Sequence, residues 1–171
     1  MATRAGVRVT LSARPSANVT TGIPVLDHLI GVLGQYASFD VALEVAPESA
    51  EAEVAAAGAA LGEALREVLR APDASGRGFS TLPADEALAH VTLEVAERGL
   101  VRSNVDLSDQ RLGGLAADPV ALFLEAMTDS AGVVLHVRLL EGRETEHVLE
   151  AIFKALGVAL GQAARRAYGK E

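Results

Sequence analysis

The sequence predicts an α+β fold made of one unit used twice: a small mixed or antiparallel sheet covered on one face by two helices, the two helix layers packed together. Three observations carry that prediction. Apolar residues alternate with polar ones in short runs in both halves, at Val7-Val9-Leu11 and Phe39–Val45 and again at Val91–Val95 and Val133–Leu139. Each half then closes on a long Ala-rich stretch of helical character. Finally, Ala60-Leu61-Gly62-Glu63-Ala64-Leu65 returns as Ala155-Leu156-Gly157-Val158-Ala159-Leu160, an offset of 95 residues, and Phe39–Val45 answers Gly132–Arg138 at nearly the same offset. Composition alone makes such matches easy between Ala-rich helices. A period this long denotes a duplicated unit and not a solenoid. The two repeats are 1–78 and 79–171, within one compact chain.

Taken in order, Val7, Val9 and Leu11 predict a half-buried strand, and Arg14 to Thr20, with Pro15 and Asn18, a polar turn region. A helix follows from about Pro24, proline being suited to a first helical turn, to Ala37. Phe39 to Val45 is a second strand, 47–50 a loop, and Glu51 to Leu69 a long helix. Arg70 to Gly78, with Pro72, Gly76 and Gly78, is a loop. In the second half, strands are predicted at Val91–Val95 and Leu100–Leu107, and Gly113-Gly114 breaks the chain. Asp118-Pro119 reads as an N-cap followed by proline at the first helical position of a helix reaching about Asp129. Val133 to Leu139 is a strand with His136 and Arg138 on its polar face. Glu141-Gly142 turns, and a last helix runs from Glu144 to Ala167.

Composition narrows the function classes. Half the residues are hydrophobic and only 4% aromatic, so the core is one of small aliphatic side chains. A net charge of −8, with Lys154 and Lys170 as the lysines, argues against nucleic acid and anionic membranes as partners, while leaving room for an arginine cluster that holds a phosphate. Cysteine is absent, which removes disulfide and thiol chemistry. No apolar run approaches the ~20 residues of a membrane span, and without a signal-peptide core the cytoplasm is the expected location.

The strongest candidate chemistry lies in Glu146-His147-Val148-Leu149-Glu150. His147 and Glu150 are three apart and share a helix face, with Lys154 at the next turn. A histidine and a carboxylate at this spacing can reach one metal ion or one substrate proton. The bland alternative is a solvated polar face, with Lys154 countering Glu150 across one turn. Carried back 95 residues, Glu146 falls on Glu51, His147 on Ala52 and Glu150 on Ala55. Alanine has no donor or acceptor, so the earlier copy has lost this chemistry. His28, on the first helix, has Leu122 as its counterpart, and fits a core ring as well as a ligand. His90 and His136 fall on polar strand faces, as solvated or interface residues. Arg98, Arg138 and Arg143 are phosphate contacts or ordinary surface charges.

Along nearly its whole length the sequence resembles imidazoleglycerol-phosphate dehydratases. The matching stretches are Thr21-Gly22-Ile23 through Leu26-Asp27-His28, Phe39-Asp40, Ala60 to Leu69, Asp85-Glu86-Ala87-Leu88, Ala131-Gly132 with Leu135-His136-Val137-Arg138, Gly142-Arg143, and His147 through Glu150 to Ala155. The resemblance implies a ribosomal protein S5 domain 2-like fold and a lyase of histidine biosynthesis that removes water from an imidazole-bearing diol phosphate. It also implies two manganese ions held between subunits by a histidine on the first helix and an H-H-x-x-E motif on the second helix of each half. Metal binding accompanies assembly of trimers into a hollow 24-mer.

This sequence departs from the pattern at the metal ligands. The first H-H-x-x-E falls on Glu51, Ala52 and Ala55; the second falls on Glu146, His147 and Glu150. Of the implied ligands His28, His147 and Glu150 keep their type, with Glu51 and Glu146 as substitute oxygen donors of altered charge. For phosphate, the family's Arg-Tyr-Gly segment reads Gly76-Arg77-Gly78, and Arg98 and Lys154 match family positions. The family's Ser-Thr-Lys-Gly loop has no match in a sequence closing on Tyr168-Gly169-Lys170-Glu171. The expectation is therefore a family member whose di-manganese dehydratase activity is lost or strongly reduced, with at most one metal site. His147 and Glu150 are its catalytic pair, Arg77, Arg98 and Lys154 its phosphate contacts, and His28, His147 and Glu150 its metal ligands. The alternative is an active dehydratase with a reduced metal site. Expected partners are an imidazole- or phosphate-bearing small molecule and further copies of the chain, as a trimer in preference to the 24-mer.

Overall fold

Val9 faces the core while Gly6, Arg8 and Thr10 face outward, the period-two pattern of a strand with one covered face. In the computed structural model, which describes residues 4–106, 111–112, 115–116 and 118–166, this strand is β1 (Ala5–Leu11). It is followed by β2 (Ala17–Thr20), α1 (Pro24–Ala37), β3 (Phe39–Val45) and α2 (Ala50–Leu69). β3 is the middle of a three-stranded sheet, antiparallel to β1 and parallel to β2.

The second half repeats this order. It comprises β4 (Arg77–Ala84), β5 (Ala87–Val95), β6 (Leu100–Ser103), a ribbon of β7 (Arg111–Leu112) and β8 (Leu115–Ala116), α3 (Asp118–Ala131), β9 (Val133–Glu141) and α4 (Thr145–Ala163). β9 is antiparallel to β5 and parallel to β6, as β3 is to β1 and β2, and β4 is an added outer strand on β5. The fold is thus the α+β duplicated unit that the sequence predicts. The boundary between residues 78 and 79 falls within β4.

The helix layers meet across the halves, α2 against α3 and α1 against α4. Equivalent glycines make this possible. A Cβ added at Gly62 would lie 2.3 Å from the carbonyl oxygen of Met127, and one at Gly157 would lie 2.5 Å from that of Leu33. Between the layers and sheets sit Phe39, Phe123 and Phe153 among buried leucines, isoleucines and alanines. The first helix of each half ends in a left-handed residue, Ser38 (φ 54°) and Gly132 (φ 66°). Each end is held by an arginine from the other half. Arg165 donates to the carbonyls of Ala37 and Ser38, each at 2.8 Å. Arg70 donates to those of Ala131 and Gly132, at 2.7 and 3.0 Å. The two arginines are themselves 95 residues apart.

Two strands lie where the sequence predicts loops. β2 replaces part of the polar turn region 14–20; it is an edge strand on which only Val19 is half-buried, so no apolar alternation marks it. β4 begins inside the predicted 70–78 loop. Its inward positions include Gly78 and Ser80 because α4 passes so close that a Cβ at Gly78 would collide with the Ala159 carbonyl. β6 ends at Ser103, short of the predicted Leu107; residues 107–110 and Gly113-Gly114 lie outside the described residues. α3 runs two residues past Asp129, and α4 ends at Ala163, before the predicted Ala167, which also lies outside them.

Candidate functional site

The β4–β5 hairpin turns through Asp85 and Glu86, with Asp85 in the left-handed region at φ 52°. That turn delivers two carboxylates to the first turn of α4. The α4 N-cap residue, Glu144, makes no side-chain capping bond. Glu86 supplies the missing acceptor: its Oε1 receives the N–H groups of Glu144 at 2.9 Å and Arg143 at 3.2 Å. A carboxylate here meets both the unpaired amides and the positive end of the helix dipole. These bonds, the Glu144 amide first, hold the Glu86 carboxyl down at about 2 against the pull of its partial desolvation.

The other oxygen of Glu86, Oε2, lies 2.5 Å from His147 Nδ1. With Glu86 ionised, Nδ1 is the donor, which leaves Nε2 of the neutral ring as an acceptor. The bond to Glu86 pushes the His147 pKa up, with the nearby charges of Asp85 and Glu144 adding to it and desolvation opposing it. Asp85 Oδ2 stands 4.0 Å from Nε2. Among the described residues, Asp85, Glu86 and His147 form the group of three side chains whose ligand atoms lie within 4.8 Å of one another.

The remaining predicted residues are more dispersed. Glu150 is half-buried one turn further along α4, and neither it, His28, Glu51 nor Glu146 belongs to that group. His28 is exposed on α1, so it is not a core ring. Glu51 is exposed at the start of α2. Its neighbour Glu53 is buried and accepts the Glu48 N–H at 2.8 Å, the first-half counterpart of Glu86 receiving Arg143. Lys154 donates to the Pro83 carbonyl at 3.3 Å and stands 5.6 Å from the centre of the Tyr36 ring, so the simple pairing with Glu150 gives way to these contacts. Arg77 is exposed at the start of β4, in an open cleft of about 960 Å³ that Tyr36, Ser75, Phe79 and Gln162 also line. Tyr36 thus adjoins both Arg77's cleft and Lys154. Arg98 is exposed between β5 and β6. Asp85 and Glu86 are the site residues that pattern reasoning misses: a two-residue acidic turn looks like ordinary solvated surface, and its one signal is the Asp85-Glu86-Ala87-Leu88 match.

The side chains of Asp85, Glu86 and His147 could offer a metal ion one ligand atom each. Glu86 orients His147 through one oxygen and caps α4 through the other. His147 Nε2 and Asp85 Oδ2, 4.0 Å apart, can be spanned by two bonds of roughly 2.0–2.2 Å. With Glu86 on the Nδ1 side of the ring, these two donors converge on the Nε2 side, where metal sites ordinarily gather three or more.

The family model described as imidazoleglycerol-phosphate dehydratase matches residues 21–160. The chloroplastic imidazoleglycerol-phosphate dehydratase of Pisum sativum is 34% identical over 165 residues, covering 94% of this chain and 59% of that protein. This chain therefore spans less than two thirds of that relative's length. The imidazoleglycerol-phosphate dehydratase of Desulforudis audaxviator is 34% identical over 149 residues, covering 85% of this chain and 76% of the relative. The crystal structure of imidazoleglycerol-phosphate dehydratase from Staphylococcus aureus has a TM-score of 0.87 at 26% identity, over 96% of this chain and 97% of that one. Sequence match, duplicated topology and superposition agree, and the chain belongs to the imidazoleglycerol-phosphate dehydratase family.

Proposed function

We propose that this chain is an imidazoleglycerol-phosphate dehydratase-like protein of the histidine-biosynthesis family in which di-manganese dehydratase activity is lost or strongly reduced. The observation that carries this reading is the donor count at His147. Glu86 is committed to the ring and the helix amides, Asp85 alone is placed to join Nε2, and Ala52, Ala55 and Leu122 stand where the resemblance implies ligands.

What the residues can still do follows from their geometry. Glu86 fixes the His147 ring and its tautomer, so Nε2 is held ready to accept a proton or a hydrogen bond from an imidazole or hydroxyl group. Asp85 supplies negative charge beside it. Arg77, Arg98 and Lys154 are the cations offered to a phosphate, Lys154 and the Arg77 cleft adjoining Tyr36. Such a protein binds an imidazole- and phosphate-bearing small molecule better than it turns one over. Glu150, with His147, remains the catalytic pair proposed from their shared helix face. A manganese ion, where bound, would supply Lewis-acid charge stabilisation worth several kcal/mol.

A second reading, active dehydration at a single-ion site with His28, Glu51 or Glu146 adding donors, is favoured by the intact Glu86–His147 pair. Turnover with manganese distinguishes the two, and metal content tests both against a complete two-ion site. After dialysis against manganese and then against metal-free buffer, the first reading expects fewer than two ions per chain by elemental analysis. Two ions retained per chain would overturn it. With metal bridging curtailed, the assembly expected is a trimer and not the 24-mer, in the cytoplasm.

A further inference from the structure

Aromatic side chains are few in this chain, and their placement is uneven. Phe39, Phe123 and Phe153 are fully buried in the core. Tyr36 is 38% and Phe79 67% exposed, and both line the cleft that also holds Arg77. An exposed ring forgoes the burial that stabilises a core aromatic. Two such rings at one cleft, on a chain with 4% aromatic residues, point to a ligand. Charge is uneven there too. Arg77, Arg165 and Arg166 line the cleft beside one carboxylate, Asp73, although the chain as a whole carries −8. Arg165 is committed to the carbonyls of Ala37, Ser38 and Gly161. Arg77 and Arg166 are exposed, and neither makes a salt bridge among the described residues.

The walls of this cleft are tied together within the chain. The N–H groups of Ser75 and Gly76 donate to the carbonyls of Arg165 and Ala163, at 2.8 and 2.9 Å. Ser75 Oγ donates to the Gln162 carbonyl at 2.8 Å, and the Phe79 N–H to Gln162 Oε1 at 2.9 Å. With Oε1 engaged, the Gln162 amide offers its NH2 group as a donor. Small-molecule sites are commonly preformed, with volumes of about 300–1,000 Å³. At about 960 Å³ this cleft has room for a ligand larger than one imidazole on a short chain. It is also remote from the Glu86–His147 pair. Gln162 lies 15 residues beyond His147 on α4, roughly 22 Å along the helix.

We propose that this cleft is a nucleotide site, taking a nucleoside monophosphate with its base against Tyr36 and Phe79 and its phosphate on Arg77 and Arg166. The chemistry of the lining matches each part of such a ligand. Every base has a π-face that stacks on aromatic side chains. Guanidinium groups match phosphate oxygens in pairs. Asp73 is an acceptor for ribose hydroxyls, and the Gln162 NH2 group is a donor to a ring nitrogen or carbonyl of the base. The inference rests on the proposed function in one respect, the use of Arg77 as a phosphate contact. It adds that the rest of the ligand is recognised as a base, and it uses no residue of the His147 site.

Isothermal titration calorimetry of the full chain in chelator reads this site independently of metal and turnover. The probes are adenosine monophosphate, adenosine, ribose 5-phosphate and imidazoleglycerol phosphate. Adenosine monophosphate should bind about tenfold or more tightly than either adenosine or ribose 5-phosphate. Tyr36→Leu/Phe79→Leu keeps apolar bulk and removes both rings. It should weaken the nucleotide about tenfold and leave ribose 5-phosphate unchanged, with wild-type circular dichroism and thermal midpoint. Phe79→Leu alone, at the more exposed position, should show the same selective loss at smaller amplitude should the Tyr36 change disturb α1. Arg77→Gln should weaken both phosphates. The proposal is overturned if the nucleotide does not bind, if ribose 5-phosphate binds as tightly, or if the leucine variants bind the nucleotide as wild type does. A chain that ignores the nucleotide but binds imidazoleglycerol phosphate through Arg77 would remove this inference and leave the proposed function standing. Rapid turnover with manganese by a chain that binds the nucleotide as described would do the reverse.

Discussion

Glu86 and His147, 61 residues apart in sequence, are joined by a 2.5 Å bond between Oε2 and Nδ1, while the other oxygen of the same carboxylate caps the helix that carries the histidine. One side chain therefore fixes both the start of α4 and the direction of its imidazole. The pair is a positioning device for the imidazole.

Replacing Glu86 by alanine should lower the His147 pKa toward its ordinary value, since the Glu86 bond is the largest cause of its rise. An NMR titration of the ring protons measures this directly. An unchanged titration in Glu86→Ala would show that the bond does not operate in solution.

The same pair predicts a pH window. Glu86 lies at about 2 against an ordinary 4.5, so its contribution to stability is present above about 4.5 and is lost as pH falls toward 2. His147 is raised above 6.5, so its contribution is present below 6.5 and is lost as pH rises through the elevated value. The difference in thermal midpoint between wild type and His147→Ala should therefore be largest between about 4.5 and 6.5. A difference flat from pH 4 to 9 would contradict this.

Arg70 and Arg165 clamp equivalent helix ends, so Arg70→Ala and Arg165→Ala should destabilise the fold similarly. Each should cost roughly 1–2 kcal/mol in urea unfolding for the loss of charge-assisted bonds to carbonyls. The two ends are separate, so the double variant should show nearly the sum.

Alanine at Gly62 or Gly157 normally favours a helix, by up to about 1 kcal/mol. Here the added Cβ would lie 2.3 or 2.5 Å from a carbonyl of the facing helix, so one helix must move. Overpacking of this kind costs about 1–3 kcal/mol. Both variants should lower the thermal midpoint, and a rise in either would mean the layers are further apart than described.

The duplicated fold is legible in the sequence where one face of an element is apolar, as at Phe39–Val45 and along α4. The offset linking Gly62 to Gly157 is legible because close helix packing permits no side chain at either position. β4 is hidden because its inward positions hold glycine and serine against α4, and β2 because an edge strand buries so little. At the site, His147 can be found from its helical neighbours. Glu86 cannot, because its partners come from the β9–α4 connection more than fifty residues away, and only the folded chain makes an acidic hairpin turn into a helix cap.

Turnover of imidazoleglycerol phosphate with manganese, measured beside His147→Ala, tests the central claim most directly. Wild-type protein is predicted to show little or no dehydration, with His147→Ala lowering it hardly further. Rapid dehydration by the wild type that His147→Ala abolishes would contradict the account.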